Sequence, residues 1–391
     1  MKKTKKLTSM ALALVMAGAM LPGAMLQNVS AATATNTNAD IYTAKTCVTS
    51  SNMEDFEGFE VGTTWTANAD GSALTNNISS FIDVVINGAG NKAEIVEDNG
   101  SKALKITYVG SGSITLYNYF TSNHSDQMND KIVRAGAKTR FESFTEEANI
   151  TQFNRLYNRN QGTQMKTYVV NKGNAIYINE YSSNGKSVEK NLKQYKDKYF
   201  SMASTYNRTS KLGTVEAPNG AVTWQGTSDK QFQEAEFVIT TANGNYKGFD
   251  SATDASGNKV NTVLYFDDIF SERISYEIDE VTVGGVFDQA KTITNVPLNA
   301  PINVKLTDAV SDKCVSSDYV ALTDSEGNAV DFVIEKDSDI GFTVYPKGQK
   351  TSESYTLTIN SGIKSAFNES ISTTAAKTVK YTTCADGLAF K

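Results

Sequence analysis

Few side chains in this sequence suit chemistry, and their spacing narrows what it can do. Among 391 residues there is one histidine, His124, in the polar run Thr121-Ser122-Asn123-His124-Ser125-Asp126. A Ser-His-Asp or Cys-His mechanism has to use it. Nothing around it reads as a nucleophile elbow, and a histidine in such a run reads as an exposed loop residue. The three cysteines, Cys47, Cys314 and Cys384, form no CxxC and no Cys/His metal spacing. Three are too few to staple a chain of this length, so an apolar core must hold it. Either Cys314 pairs with Cys384 and leaves Cys47 over, or all three are reduced thiols.

Tyrosine offers more. In Ala175-Ile176-Tyr177-Ile178-Asn179-Glu180-Tyr181, a strand puts Ile176 and Ile178 on one face and Tyr177, Asn179 and Tyr181 on the other, because successive side chains alternate. Ser113 to Phe120 repeats the pattern, with Ile114 and Leu116 opposite Tyr117 and Tyr119. Aromatic rings that stack on pyranose faces, flanked by amides and hydroxyls that bond sugar hydroxyls, are what a glycan surface needs. Tyr117, Tyr119, Tyr177, Asn179 and Tyr181 are therefore the candidate ligand-binding residues, set against the general preference of tyrosine for strands.

The elements that must position these residues are strands. Short alternating runs separated by Gly, Asn, Ser and Asp clusters recur along the chain, and helical periodicity is scarce, which predicts an all-β fold of sandwiches. The clearest early strands are Ala103 to Tyr108, Ser113 to Phe120, Thr167 to Val170, Ala175 to Tyr181, Glu234 to Thr240, Thr262 to Phe266 and Ser275 to Val283. Val188, Leu192, Tyr195 and Tyr199 fall at spacings of four, three and four, so Ser187 to Phe200 is the one place where an amphipathic helix or turn is expected. Composition shifts over Gly284 to Val296, and a second set of strands follows: Ile302 to Leu306, Tyr319 to Thr323, Val330 to Glu335, Gly341 to Tyr345, Ser354 to Asn360 and Lys377 to Thr383. Six or seven strands in that span match the size of an Ig-like sandwich.

The first residues read as an export signal. Met1 to Lys6 holds four lysines and no acid, Met10 to Leu26 is apolar, and Asn28-Val29-Ser30-Ala31-Ala32 ends in small residues fit for cleavage. The apolar run is broken by Gly18, Pro22 and Gly23 and is short for a membrane span. A secreted protein with no transmembrane segment after cleavage follows. Losing those four lysines from 37 basic against 43 acidic side chains takes the net charge from −6 to about −10, which disfavours nucleic acid and anionic membrane as partners. The stretch Lys186 to Lys211, with lysines among Tyr195, Tyr199 and Tyr206, is diluted by Glu189 and Asp197 and reads as a solvated face.

Two resemblances add to this. Asp55-Phe56-Glu57-Gly58-Phe59-Glu60-Val61-Gly62-Thr63-Thr64-Trp65 and Tyr276-Glu277-Ile278-Asp279-Glu280-Val281-Thr282-Val283 resemble the opening and closing strands of the jelly-roll carbohydrate-binding modules attached to xylan- and glucan-degrading enzymes. That likeness implies polysaccharide binding and a structural calcium between the chain ends, with Glu57 and Asp279 as ligands and Asp267 and Asp268 as runners-up; Ca²⁺ takes six to eight oxygens. The alternation breaks at Ile278, which implies a bulge near Asp279-Glu280 or two covered faces. Residues 297 to 383 resemble the bacterial Ig-like domain of S-layer and cell-surface proteins, on Pro301 to Val310, Val320 to Val330 and Ser354 to Ile359. Where that family has a D-x-x-G-N turn before its last strand, this chain has Ser365-Ala366-Phe367-Asn368-Glu369. Such domains act as spacers or adhesion modules.

Glu277-Ile278-Asp279-Glu280-Val281 also invites comparison with retaining laminarinase-type glycosidases of jelly-roll fold, whose E-x-D-x-(x)-E strand supplies two carboxylates about 5 Å apart. Position 281 is Val and 282 is Thr, so the catalytic pair is incomplete. The expected organisation is a signal peptide over 1–32, a linker over 33–47, a jelly-roll sandwich over 48–286, a linker over 287–296, an Ig-like sandwich over 297–384 and a tail over 385–391. The expected function is non-catalytic glycan binding by a secreted or cell-surface protein. The alternatives are a structural cell-envelope protein without a ligand and a jelly-roll glycoside hydrolase.

Overall fold

A computed structural model of the chain describes residues 47–109, 111–124, 128–143, 149–158, 162–172, 175–181, 187–191, 195, 198–218, 221–226, 229–240, 262–287 and 292–390. The expected signal peptide lies outside them, as does most of the 33–47 linker. The described residues are nearly all β, with no α-helix among them, so the all-β expectation holds. No helix there is long and apolar enough to cross a membrane.

The first sandwich is built from β1 (Val48–Glu54), β2 (Thr64–Thr66), β3 (Leu74–Asn77), β4 (Ile82–Asn87), β5 (Lys92–Asp98), β6 (Ser101–Tyr108), β7 (Ser113–Tyr119), β8 (Ile132–Ser143), β9 (Asn149–Asn158), β10 (Gly162–Lys172), β11 (Ala175–Tyr181), β12 (Ser187–Asn191), β13 (Phe200–Asn207), β14 (Leu212–Glu216), β15 (Val222–Gln225), β16 (Glu234–Thr240) and β17 (Thr262–Ile274). Two antiparallel sheets result. One has nine strands in the order β15-β14-β13-β8-β17-β6-β5-β2, with β1 also on β17; the other has eight, β12-β11-β10-β9-β16-β7-β4-β3.

Alternation explains how they meet. Ile82, Val84 and Ile86 of β4, Ile114 and Leu116 of β7, and Phe237 and Ile239 of β16 turn inward from the eight-stranded sheet. Ile95, Leu104, Ile106, Leu264 and Phe266 turn inward from the other. Phe237 meets Phe266 across the gap with ring centroids 5.1 Å apart, so truncating either opens a cavity worth about 3–5 kcal/mol. The long β17 is shared, its first half pairing with β6 and its second with β1, while β8 runs along its other edge. A bulge between Asp267 and Phe270, with Asp268 at φ 47°, separates the halves.

The second sandwich comprises β18 (Ile278–Val283), β19 (Val286–Phe287), β20 (Ile293–Val296), β21 (Ile302–Leu306), β22 (Val320–Thr323), β23 (Phe332–Ser338), β24 (Gly341–Pro346), β25 (Ser354–Ile359) and β26 (Lys377–Thr383). Its sheets run β19-β18-β21-β24-β23 and β20-β26-β25-β22. Val281, Val304 and Val344 from one meet Leu322, Leu357 and Val379 from the other in one core.

Two expectations are corrected here. Ile278–Val283 does not close the first sandwich: it pairs with β21 of the second, with Val281 and Val283 buried in that core, so the boundary falls after Ile274 and two strands run through the expected 287–296 linker and its approach. The broken alternation is indeed a bulge, between Ile278 and Glu280. Ser187–Asn191 is a strand on β11, not the start of a helix; its side-chain spacing fits either, and the edge of a sheet was open to pair with it.

Candidate functional site

The tyrosine-bearing strands β7 and β11 belong to the same eight-stranded sheet. Because Ile114 and Leu116 enter the core and Asn118 donates inward to the Phe270 carbonyl at 2.8 Å, Thr115, Tyr117 and Tyr119 point to the outer face. The same parity turns Asp83 of β4 and Glu234 and Glu236 of β16 outward, since their neighbours Ile82, Val84, Ala235 and Phe237 are core. Register then lines them up. Asp83 lies opposite Tyr117, Tyr117 opposite Glu236 and Glu236 opposite Arg155; in the next row Tyr119 lies opposite Glu234 and Glu234 opposite Tyr157. The ladder continues through Lys166 on Arg155, then Tyr168 on Asn179 and Val170 on Tyr177, toward the far edge. Tyr177, Asn179 and Tyr181 are thus placed by register alone, at alternate positions of β11.

His124 completes this region. Its ring stacks on Tyr119 at 3.8 Å and 7°, and Tyr119 is near-parallel to Tyr117 at 6.2 Å and 13°. Asp83 Oδ2 accepts from the Tyr119 hydroxyl at 3.2 Å and faces His124 Nδ1 at 3.2 Å, while Oδ1 accepts from Asn77 Nδ2 at 3.0 Å. A carbonyl only accepts, so His124 Nε2 donates to Ser80 O at 3.0 Å. Gln233 Nε2 donates to the His124 carbonyl at 2.8 Å. The loop after β7 is thereby tied to both neighbouring strands.

This geometry revises the tyrosines. Tyr119 is 2% exposed, its ring enclosed between Tyr117 and His124, so it supports the stack instead of meeting a ligand. Tyr117 is half-buried, and the His124 side chain keeps 28% of its surface in water. Glu234 and Glu236 are fully buried. The sequence reading passed over Asp83, Glu234 and Glu236 and set His124 aside. A signal for the glutamates existed, two acids at alternate positions of a strand whose other parity is apolar. Nothing local announced His124, whose partners lie on other strands.

The expected calcium ligands separate. Glu57 accepts from the Ser101 hydroxyl at 2.7 Å and the Lys102 amide at 2.8 Å, bonds that hold its carboxyl below the usual range, whereas Asp279 sits on the second sandwich, 3.2 Å from Lys305 Nζ. Beside Glu57, Asp267 and Asp268 face Lys138 Nζ at 2.8 and 3.7 Å, so an ammonium takes the cation's place. Among the described residues no group of three or more His, Cys, Asp or Glu could hold a metal ion. Glu57 and Asp279 thus sit on different sandwiches, each with partners of its own. Glu277, from the incomplete carboxylate motif, accepts from its neighbour Ser275, and Val281 is core. All three cysteines are buried, and Cys314 and Cys384 are not bridged to each other.

No protein-family profile matches the chain, and no curated protein does. Solved structures resemble it only distantly. A β-glucanase of Bacillus licheniformis is 10% identical over 56% of this chain and 97% of its own, at TM-score 0.33. A carbohydrate esterase of the Shiga toxin-encoding bacteriophage phi24B is 12% identical over 56% and 100%, at 0.34. A sialidase is 9% identical over 46% of this chain, which spans only 16% of that enzyme, at 0.31. Likeness at such scores transfers neither residue roles nor activity.

Proposed function

We propose that this is an exported, cell-surface-associated protein whose eight-stranded sheet binds a polysaccharide on its outer face, without cleaving it. The observation that supports it is the ring stack on one sheet face that ends at Tyr117 and His124, both of which keep part of their surface in water. Tyr117 and His124 supply ring surfaces for apolar sugar faces, and the buried Asp83 carboxylate, bonded by the Tyr119 hydroxyl and facing His124, holds the stack in place. Register extends the strip toward Tyr177, Asn179 and Tyr181, a length suited to a chain of sugars. With three acids on the face and an acidic chain overall, a neutral β-glucan or xylan fits better than a polyuronate.

The structural cell-envelope reading has its own support in the burial of Tyr119, Glu234 and Glu236, which a face built only for stability shares. Affinity electrophoresis of the chain from Thr33 onward in gels containing β-glucan, xylan or a polyuronate separates the two, with an assay for new reducing ends run beside it. Retardation by a neutral polymer without reducing-end release is expected. No retardation by any polymer favours the structural reading, and released reducing ends make the protein an enzyme.

A further inference from the structure

The segment in which this chain departs from the Ig-like pattern, Ser365 to Glu369, has a location that explains the departure. It does not turn into solvent. With the residues that follow it, it lies against the outer face of the nine-stranded sheet: Asn368, Ser370, Ile371, Ser372 and Thr373 are all buried. Asn368 Nδ2 donates to Glu216 Oε1 at 2.7 Å and to Thr205 Oγ1 at 3.1 Å, Asn207 Nδ2 donates to Ser372 Oγ at 3.1 Å, and the Thr214 and Ser370 hydroxyls bond each other.

The segment is shaped beforehand for that contact. Asn368 Oδ1 accepts from the Ser370 amide at 2.8 Å, Ser365 N donates to Ile371 O at 2.7 Å, and Ala366 N donates to Ala309 O at 3.0 Å. What it covers is costly to leave open. Arg134 is 0% exposed, donates through Nε to Glu216 Oε2 at 2.9 Å and through Nη1 to Glu272 Oε2 at 3.0 Å, and lies 4.9 Å over the Phe270 ring. One guanidinium thus faces the buried Glu272 carboxylate and the partly buried Glu216 one, and a further donor to Glu216 is the Asn368 amide of the other sandwich. A buried carboxylate needs its remaining lone pairs satisfied.

An apolar contact adjoins the polar one. Ile132 and Ile274 from the end of the first sandwich, and Tyr276 from the connection that follows it, belong to the second sandwich's core cluster, with Cys47, and the Tyr276 hydroxyl donates to Ala309 O at 3.2 Å. Both sandwiches belong to a single compact unit.

We infer that the second sandwich is a fixed cap on the first, keyed by Asn368 on the partly buried Glu216 carboxylate, and that the two form one cooperative body instead of a binding domain followed by a hinged spacer. The cap covers part of one outer face of the first sandwich, around β13 and β14.

The sequence supplies two site-separated probes. Both tryptophans, Trp65 and Trp224, lie in the first sandwich, whereas Cys47, Cys314 and Cys384 are buried in or beside the second core. Guanidinium unfolding of the chain from Thr33 onward, followed by tryptophan fluorescence and by maleimide labelling of the thiols, is expected to give superimposed curves, as one cooperative unit must. Asn368→Asp sets a carboxylate against Glu216; the thiol curve then moves to lower denaturant and separates from the tryptophan curve. Should that variant not accumulate as folded protein, Asn368→Ala removes the donors without adding charge and lowers the thermal transition by about 2–6 °C. Wild-type curves that are already separate overturn the proposal. So does an Asn368 variant whose curves stay superimposed at an unchanged midpoint.

Discussion

The two outer faces of the first sandwich are both rich in tyrosine and charge, yet they are finished differently. On the nine-stranded sheet the rings are covered on their faces by cations: Tyr265 lies under Arg140 at 3.9 Å and near Lys105 at 5.7 Å, and Tyr199 lies between Arg140 at 5.6 Å and Lys138 at 5.2 Å. The cations meet acids in turn, Arg140 on Asp98 at 2.9 Å and Lys138 on Asp267 at 2.8 Å, and the two hydroxyls donate to Glu142 and Asp98. Another part of that face, around β13 and β14, carries the second sandwich. On the eight-stranded sheet the rings stack on one another, and the stack ends at Tyr117 and His124, which water still reaches. A tyrosine on a strand therefore says little about binding until both of its ring faces are accounted for.

The largest break in this contrast is expected at the capped end. Arg134→Ala strands the buried Glu272 and the partly buried Glu216 carboxylates and costs about 3–5 kcal/mol in denaturant unfolding. Arg134→Met with Glu216→Gln and Glu272→Leu, which removes all three charges together, costs far less. An equal loss in both would mean that charge burial is not what matters there.

Next in size is the difference in ligand binding. Tyr117→Ala weakens retardation by a neutral polysaccharide by about 3–10-fold, the worth of one aromatic contact. Tyr265→Ala, on the sealed face, leaves retardation unchanged while lowering stability. The reverse ranking would move the binding face to the other sheet.

Alkaline titration sharpens the contrast further. Burial first, and then the bond to Glu142, pushes the Tyr265 phenol from 10.0 up to about 12. Its folded value is raised, so its stabilisation is fully present below pH 10 and is lost as pH climbs from about 10 to 12. Stability measured across that window falls in the wild type and falls less steeply in Tyr265→Phe. Equal slopes would remove Tyr265 from the sealed network.

The smallest effect is expected at Tyr119→Phe, which loses one hydroxyl bond to Asp83 and costs about 0.5–1.5 kcal/mol. Retardation changes little, because Tyr119 is enclosed.

How much of this was legible beforehand varies with the kind of signal. Alternation in Ala175–Tyr181, Glu234–Thr240, Ile302–Leu306 and Lys377–Thr383 gave those strands with their bounds, since a two-residue period is local information. Which sheet a strand joins is not local. Ile278–Val283 has the alternation and bulge of a closing strand, and only its pairing with Ile302–Leu306 assigns it to the second sandwich. The candidate face was half legible: Tyr117 and Tyr119 were identified, but the enclosure of Tyr119 depends on His124 folding back from a loop onto Asp83, a contact set by three separate segments. Glu57 and Asp279 illustrate the same point: two motifs read as the ends of one domain fall on different sandwiches.

The single histidine allows the most direct test. Imidazole ¹H–¹⁵N signals of His124 need no sequential assignment, and they report the open end of the ring stack. Titration with an oligosaccharide of the retarding polymer is expected to shift these signals saturably in the wild type, with saturation requiring several-fold more ligand in Tyr117→Ala. A polymer that retards the protein while its oligosaccharide leaves the His124 signals unmoved would contradict binding at this face.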